Sequence, residues 1–261
     1  MSEVESSIGR SASPLEKPVL QSAATPSLPR KPLPRPSYVK NIIFFSVASG
    51  LFWLLEFFFQ YYIASVGDLQ SSLIRSFAFA GETLFALTLL MSVIFRSFPS
   101  MARHWRFRRY AGVAGFVFIT AHVLTVLQFL FQFHLGSVFY SLNPIANPLL
   151  FGVISFPLFM VMALTSTDWA VQKLGSRVWK NIHRLVYVAF IASIFHFLLT
   201  YIGALKNAAG ALLVVMTAAA VMGHLYWFVK LSAKKSFKSK GFMFGACIIA
   251  VTAVVAYLAY R

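Results

Sequence analysis

Hydrophobic residues in this chain come in long unbroken runs, not in the short periodic stretches of a water-soluble domain. The runs lie at about 41–66, 74–95, 111–133, 146–167, 182–202, 209–229 and 241–260. Each is close to the ~20 residues a helix needs to cross ~30 Å of hydrocarbon. A backbone in lipid must satisfy its own hydrogen bonds, and runs without apolar–polar alternation do so as helices. The pattern therefore predicts an all-α, polytopic transmembrane bundle with seven spans. Residues 1–39 are of another kind. The segments SASPLEKP and TPSLPRKPLPRPS lack apolar periodicity, which predicts a disordered tail with a polyproline stretch near 28–36. The chain thus divides into a Pro/Ser-rich tail, 1–39, and a membrane helical domain, 40–261. No signal peptide is expected, because the first apolar run comes too late.

The polar connections orient the bundle. The tail through Lys40 holds six Lys/Arg, the second connection five, the fourth four and the sixth five; the alternate side holds only Arg75, Lys206 and Arg261. Positive charge collects on the cytoplasmic side of membrane proteins. The strict alternation predicts the N-terminus inside and the C-terminus outside. Composition agrees: the chain is 59% hydrophobic and 11% charged, with a mean hydropathy of +0.74. A net charge of +16 would suggest nucleic acid in a soluble protein. Here the cations are the orientation signal, and the expected surroundings are lipid, with no nucleic-acid partner. The single Cys247 excludes an internal disulfide and thiolate-based zinc or iron–sulfur sites. The absence of CxxCH excludes covalent haem in its usual form. There is no P-loop, and no GxGxxG follows a strand, so the chain carries no nucleotide-binding module of its own.

Ionisable residues at membrane depth are functional candidates, because burying them is costly. Five fall within runs: Glu56, Glu82, His122, His196 and His224. The third and fifth spans both rise from the inner face. His122 lies 13 residues beyond Arg109, and His196 lies 13 beyond His183, so each stands ~20 Å up. Two imidazoles at one height in a bundle can supply both axial ligands of a haem iron. Equally, each could be an unrelated histidine bonded to a helix carbonyl, since height says nothing about facing. Carbonyls one turn back, at Phe118 and Ala192, are the expected acceptors for the Nδ1–H of His122 and His196.

His183 points ~140° away from His196 on an ideal helix. It sits at the inner edge with Lys180, Arg184, Arg108 and Arg109. That cluster suits a haem propionate or a flavin phosphate, and it also suits an ordinary positive-inside connection. His224 lies ~9 Å from the inner face, either as a partner for His183 on a second haem or as a bundle histidine bonded to a neighbouring helix. Glu56 and Glu82 are expected to face the interior, as proton carriers or as neutral structural acids. His104 and His134 lie in or near connections and carry no signal.

The segments RRYAGVAGFVFITAHVLT (108–125) and MALTSTDWAVQKLGSRVWKNIHRLVYVAFIASIFHFL (162–198) resemble the ferric reductase-like transmembrane domain family. Three features carry the likeness: an Arg-Arg followed by Gly and His in the third span, the phrase LTST with LG, R and W, and HRLVY with a second His thirteen on. The resemblance implies a core at about 74–230 holding haem b between the third and fifth spans. It implies His122 and His196 as the iron ligands, and His183 as a ligand or near-ligand on the inner side. Two-haem relatives have a further His in the third span where this chain reads RFRRYAG. A flavin, FMN or FAD, held on the inner side by Arg109 and Arg184 is therefore the implied alternative to a second haem. Relatives also carry Gly-Arg in the second span where this chain reads GETLFA.

The expected function is that of a b-type cytochrome of the bacterial inner membrane. It would take electrons from a cytoplasmic flavin reductase or from quinol and pass them to an outer-side acceptor. The branch of the family it most resembles implies a periplasmic methionine sulfoxide reductase as that acceptor. One rival is direct reduction of Fe(III) or Cu(II), although the outer connection HLGSVFYSLNPIANP offers no acids to attract cations. The other is a haem-free transporter or structural protein, although the runs show no inverted repeat. Orientation is tested by reporter fusions. Those after Lys40, Arg109, Lys180 and Lys238 should report cytoplasm, and those after Asp68, Asn143 and Lys206 the outside. One clean reversal within the series would sink the common height of His122 and His196.

Overall fold

The computed structural model describes residues 38–232. Helix α1 (Tyr38–Phe59) runs into a π-helical turn at Gln60–Ala64. Then come α2 (Leu69–Ser97), α3 (Phe107–Phe129), α4 (Leu149–Leu164), α5 (Asp168–Arg184), α6 (Val186–Thr200) and α7 (Ala208–Ser232). Short 3₁₀ turns at Pro99–His104, Leu135–Phe139 and Ile202–Lys206 join them. No strand occurs among the described residues. The expected span 241–260, and all but the last two residues of the expected 1–39 tail, lie outside them.

Five segments are long and apolar enough to cross a membrane: Val39–Ala64, Leu69–Ser97, Phe107–Phe129, Asp168–Thr200 and Ala208–Leu231. The protein is a multi-pass membrane protein. Helix α4, expected over 146–167, is shorter at 16 residues, a rise of ~24 Å. Its N-terminal end is preceded by a folded connection. The fully buried Asn147 donates from Nδ2 to the carbonyls of Val138 and Ser141, both at 2.9 Å. The same side chain accepts from the Leu149 amide through Oδ1 at 3.2 Å.

The stretch expected to be a basic connection is helical. Thr167 caps α5 by accepting from the Ala170 amide at 3.1 Å, a helix-start signal within the LTST phrase. Arg177, Lys180 and Arg184 recur at helical spacing and all are exposed, so they form the exposed polar face of this helix. Charge density had masked that period. Gly175 interrupts α5 at φ 72°, ψ 154°, a conformation that glycine adopts without a β-carbon clash.

Helix α2 is the centre of the bundle. Every residue from Phe79 to Ala86 is buried, as befits a helix surrounded by others. It packs along α1, α3 and α7, while α4 lies along α6. Phe85 stacks on Phe159 of α4 at 4.0 Å, and Phe79 meets Phe197 of α6 edge-on at 5.5 Å. Close crossings rest on small residues, as is usual where lipid removes the hydrophobic drive between helices. A β-carbon on Gly81 would lie 2.6 Å from Ile119 of α3, and one on Gly115 would lie 3.1 Å from the Gly81 carbonyl. Gly223 of α7 abuts Val93 in the same way. Gly81→Leu should therefore separate α2 from α3 and cost about 1–3 kcal/mol, read as a lowered thermal midpoint in detergent. An unchanged midpoint would mean that α2 and α3 do not cross this closely.

Candidate functional site

Height along two parallel helices becomes contact in the tertiary structure. The rings of His122 on α3 and His196 on α6 face each other with centroids 6.4 Å apart and planes inclined at 61°. Each ring is held through Nδ1 by a backbone carbonyl: Ile74 O at 2.9 Å for His122 and Pro148 O at 3.1 Å for His196. A carbonyl oxygen only accepts, so each Nδ1 carries the proton and each Nε2 keeps a bare lone pair. These carbonyls belong to α2 and to the start of α4, not to Phe118 and Ala192. The carbonyl one turn back already accepts the histidine's own helical N–H, and each ring reaches across to a neighbouring element instead.

The two carbonyls are themselves held by the contacts around them. Asp68 caps α2 by accepting from the Ser71 amide at 3.2 Å. Hydrogen bonding from Ser71, its side chain first and its amide second, holds the Asp68 carboxyl below its ordinary value. Arg75, next to Ile74, donates to Ser65 Oγ at 3.0 Å and to the Tyr201 hydroxyl at 3.1 Å. Asn147 immobilises the loop before Pro148. Gly152 of α4 backs the second imidazole: a β-carbon there would touch the His196 ring at 3.5 Å. None of these supports was visible as such in the sequence, although the Asp68 cap and the NP dipeptide at 147–148 are local signals.

The geometry bears on what could be held. Among the described residues no group of three or more His, Cys, Asp or Glu surrounds a common point. A bare metal ion would lack ligands. Two imidazoles suffice when the metal arrives with an equatorial ring of four donors, as in haem. An axial metal–imidazole bond is about 2 Å and the ring centre lies about 1 Å behind its nitrogen. Two such rings on one iron thus have centres about 6 Å apart, and the observed 6.4 Å fits.

The other sequence candidates occupy different places. His183, at the end of α5, lies on Trp179 with ring centres 4.0 Å apart. Its Nε2 is 3.4 Å from Ser166 Oγ, and its Nδ1 is buried without a hydrogen-bond partner among the described residues. Trp179 is in turn fixed by donating to the Thr165 carbonyl at 2.9 Å. Arg109 is engaged with Asp168 at 2.6 Å, a pairing that sequence reading missed. Arg184 is exposed and donates to Asn181 at 3.1 Å. His224 Nε2 lies 3.2 Å from the Leu89 carbonyl, and its ring stands edge-on to Tyr187. Glu56 and Glu82 are both buried: Gln60 donates to Glu56 at 2.9 Å, and Ser193 of α6 lies 3.0 Å from Glu82.

Residues 77–194 match the family model described as ferric reductase like transmembrane component. The resemblance drawn from the motifs between 108 and 198 therefore holds. The matched segment includes Glu82, His122, His183 and Ser193 and ends two residues before His196. Curated relatives include the haem-binding subunit MsrQ of the protein-methionine-sulfoxide reductase from Brucella ovis, Brucella canis and Brucella abortus. Each is 26% identical over 185 residues, covering 68% of this chain and 79% of the relative. No solved structure gives a significant match.

Proposed function

We propose that the chain is the haem-binding electron-transfer subunit of a bacterial inner-membrane redox system, with one b-type haem held between His122 and His196. The observation that carries this reading is the facing pair of imidazoles, 6.4 Å apart, each with Nδ1 tied to a carbonyl and Nε2 bare. Bound there, haem would supply reversible one-electron chemistry; the chain's task is to bind, orient and insulate it. Ile74 and Pro148 set the tautomers and orient the rings. The buried run of α2 and the stacked Phe85 and Phe159 exclude water from the level below the pair.

The orientation proposed is N-terminus inside and C-terminus outside with seven spans, supported by the alternation of Lys and Arg. Helix α4 must then cross despite its length, because α3 and α6 rise in the same direction. The pair stands in the outer half of the bilayer, and electrons leave toward an outer-side acceptor. The printed name of the relatives supports a methionine sulfoxide reductase in that place. The donor is a cytoplasmic flavin reductase or membrane quinol. His183, Arg109 and Arg184 form the receiving end, where FMN or FAD is the cofactor we assign to the inner basic edge. Arg109 would exchange its Asp168 partner for such an anion.

Absorption spectra of the purified variants test the assignment. Wild type should bind about one noncovalent haem per chain with a low-spin spectrum. His122→Ala and His196→Ala should each lose most of that band. Gly152→Leu should distort it by displacing the His196 ring, while Gly152→Ala should leave it unchanged. His183→Ala should keep the band but slow its reduction from the inner side, with dithionite reduction unchanged. Loss of the band in His183→Ala together with its survival in His196→Ala would reverse the roles given to the two residues.

A further inference from the structure

Glu82 has no part in holding the cofactor, yet it lies in the most enclosed part of the bundle. It belongs to the buried run of α2, and its carboxyl approaches Ser193 of α6. Ser193 precedes His196 by three residues. Ile119, which packs on Gly81, precedes His122 by three. Glu82 is thus about one helical turn, ~4.5 Å of rise, to the inner side of the histidine pair.

Hydrogen counting bears on its charge. Ser193 Oγ lies 3.0 Å from Glu82 Oε2 and 2.8 Å from the Phe190 carbonyl oxygen. The hydroxyl has one hydrogen, and both neighbours of an ionised Glu82–Ser193 pair would be acceptors only. One of the two contacts would then set lone pair against lone pair. A protonated Glu82 removes the conflict: its O–H donates to Ser193 Oγ, and the Ser193 hydroxyl donates to the Phe190 carbonyl. No cation compensates a charge here. The titratable side chains within the surrounding spans are Glu56 on α1, His122 on α3, Tyr187 and His196 on α6, and His224 on α7; α4 has none. The cations Lys40, Arg75, Arg96, Arg108, Arg109 and Lys230, with Tyr110 and Tyr226, belong to the helix ends. Among the described residues the polar contact of Glu82 is Ser193 alone. An unpaired carboxylate at membrane depth is far costlier than a hydrogen-bonded acid.

We propose that Glu82 is a proton-binding site linked to the histidine pair: it carries a proton in the neutral bundle, donates it to Ser193, and releases it when positive charge is held at His122 and His196. The linkage is Coulombic and acts across a short, low-dielectric distance. One electron from the donor, neutralising that positive charge, favours binding of one proton to the Glu82 carboxylate. Departure of the electron favours breaking the O–H bond and release of the proton to solvent. The second half of the proposal rests on the haem assignment above; the first half does not.

Infrared spectra of the protein without cofactor test the first half. Wild type should show a protonated-carboxyl C=O stretch, sensitive to deuterium, that disappears in Glu82→Gln and persists in Glu56→Gln. The glutamine amide can donate to Ser193 as the acid does, so this variant should fold. Should it not, Ser193→Ala serves instead by raising the frequency of the Glu82 band. No band lost in Glu82→Gln, or a band unmoved in Ser193→Ala, overturns the proposal. Potentiometry of the haem-loaded protein tests the linkage. In wild type the midpoint potential should fall with rising pH, by at most the tenfold per pH unit of one proton per electron, about 59 mV, and Glu82→Gln should flatten the slope. A slope that survives in Glu82→Gln overturns the linkage. Failure of the haem assignment itself would appear separately, as the absence of the absorption band with the infrared result intact.

Discussion

A carbonyl oxygen can accept a hydrogen bond and cannot donate one. That asymmetry, applied at Ile74 and Pro148, governs the centre of this protein. It places the proton of His122 and of His196 on Nδ1 and leaves both Nε2 atoms bare, on two rings whose centres lie 6.4 Å apart. Because the carbonyls lie on α2 and at the start of α4, four elements must be in register before the two imidazoles meet. The contacts around these carbonyls acquire their meaning from this requirement. Asp68 starts α2, Arg75 ties its first turns to Ser65 and Tyr201, and Asn147 folds the loop that presents Pro148.

The same economy appears in how the helices approach. Lipid gives no hydrophobic reward for helix contact, so close backbone approach through glycine takes over. Gly81 against Ile119 brings α2 to α3 one turn below His122, and Gly152 lets α4 lie against the His196 ring. Large rings fill what remains, with Phe85 on Phe159 and Phe79 against Phe197. The result is a polar pair inside an apolar wall, with a buried acid beneath it.

The opposite end of the bundle is built differently. It is an amphipathic helix, broken at Gly175, that lies between two spans and carries its cations outward. His183 is fixed by Trp179 and Ser166, and Arg109 is engaged by Asp168. The Asp168 side of this ion pair is exposed, while Arg109 is largely covered. The division suits a protein whose outer half is assigned to holding and whose inner edge is assigned to receiving.

Much of this was legible from the chain alone, because membrane proteins obey strong one-dimensional rules. Length of apolar run, absence of strands among the described residues and the shared level of His122 and His196 follow from the helical rise and from the cost of exposing backbone to lipid. The motifs between 108 and 198 identified the family likeness. Other features were out of reach. Whether two histidines at one height face each other depends on helix rotation, and a single helix does not determine its own rotation in a bundle. The partners of Nδ1 depend on carbonyls 48 residues away in both cases. The engagement of Arg109 by Asp168, and of Glu82 by Ser193 across 111 residues, likewise exists only once the helices have packed. The sequence by itself determined which runs are apolar and helical and that His122 and His196 share a level along their helices; the tertiary structure decided which residues meet, because facing is a property of neighbouring helices and not of any one of them.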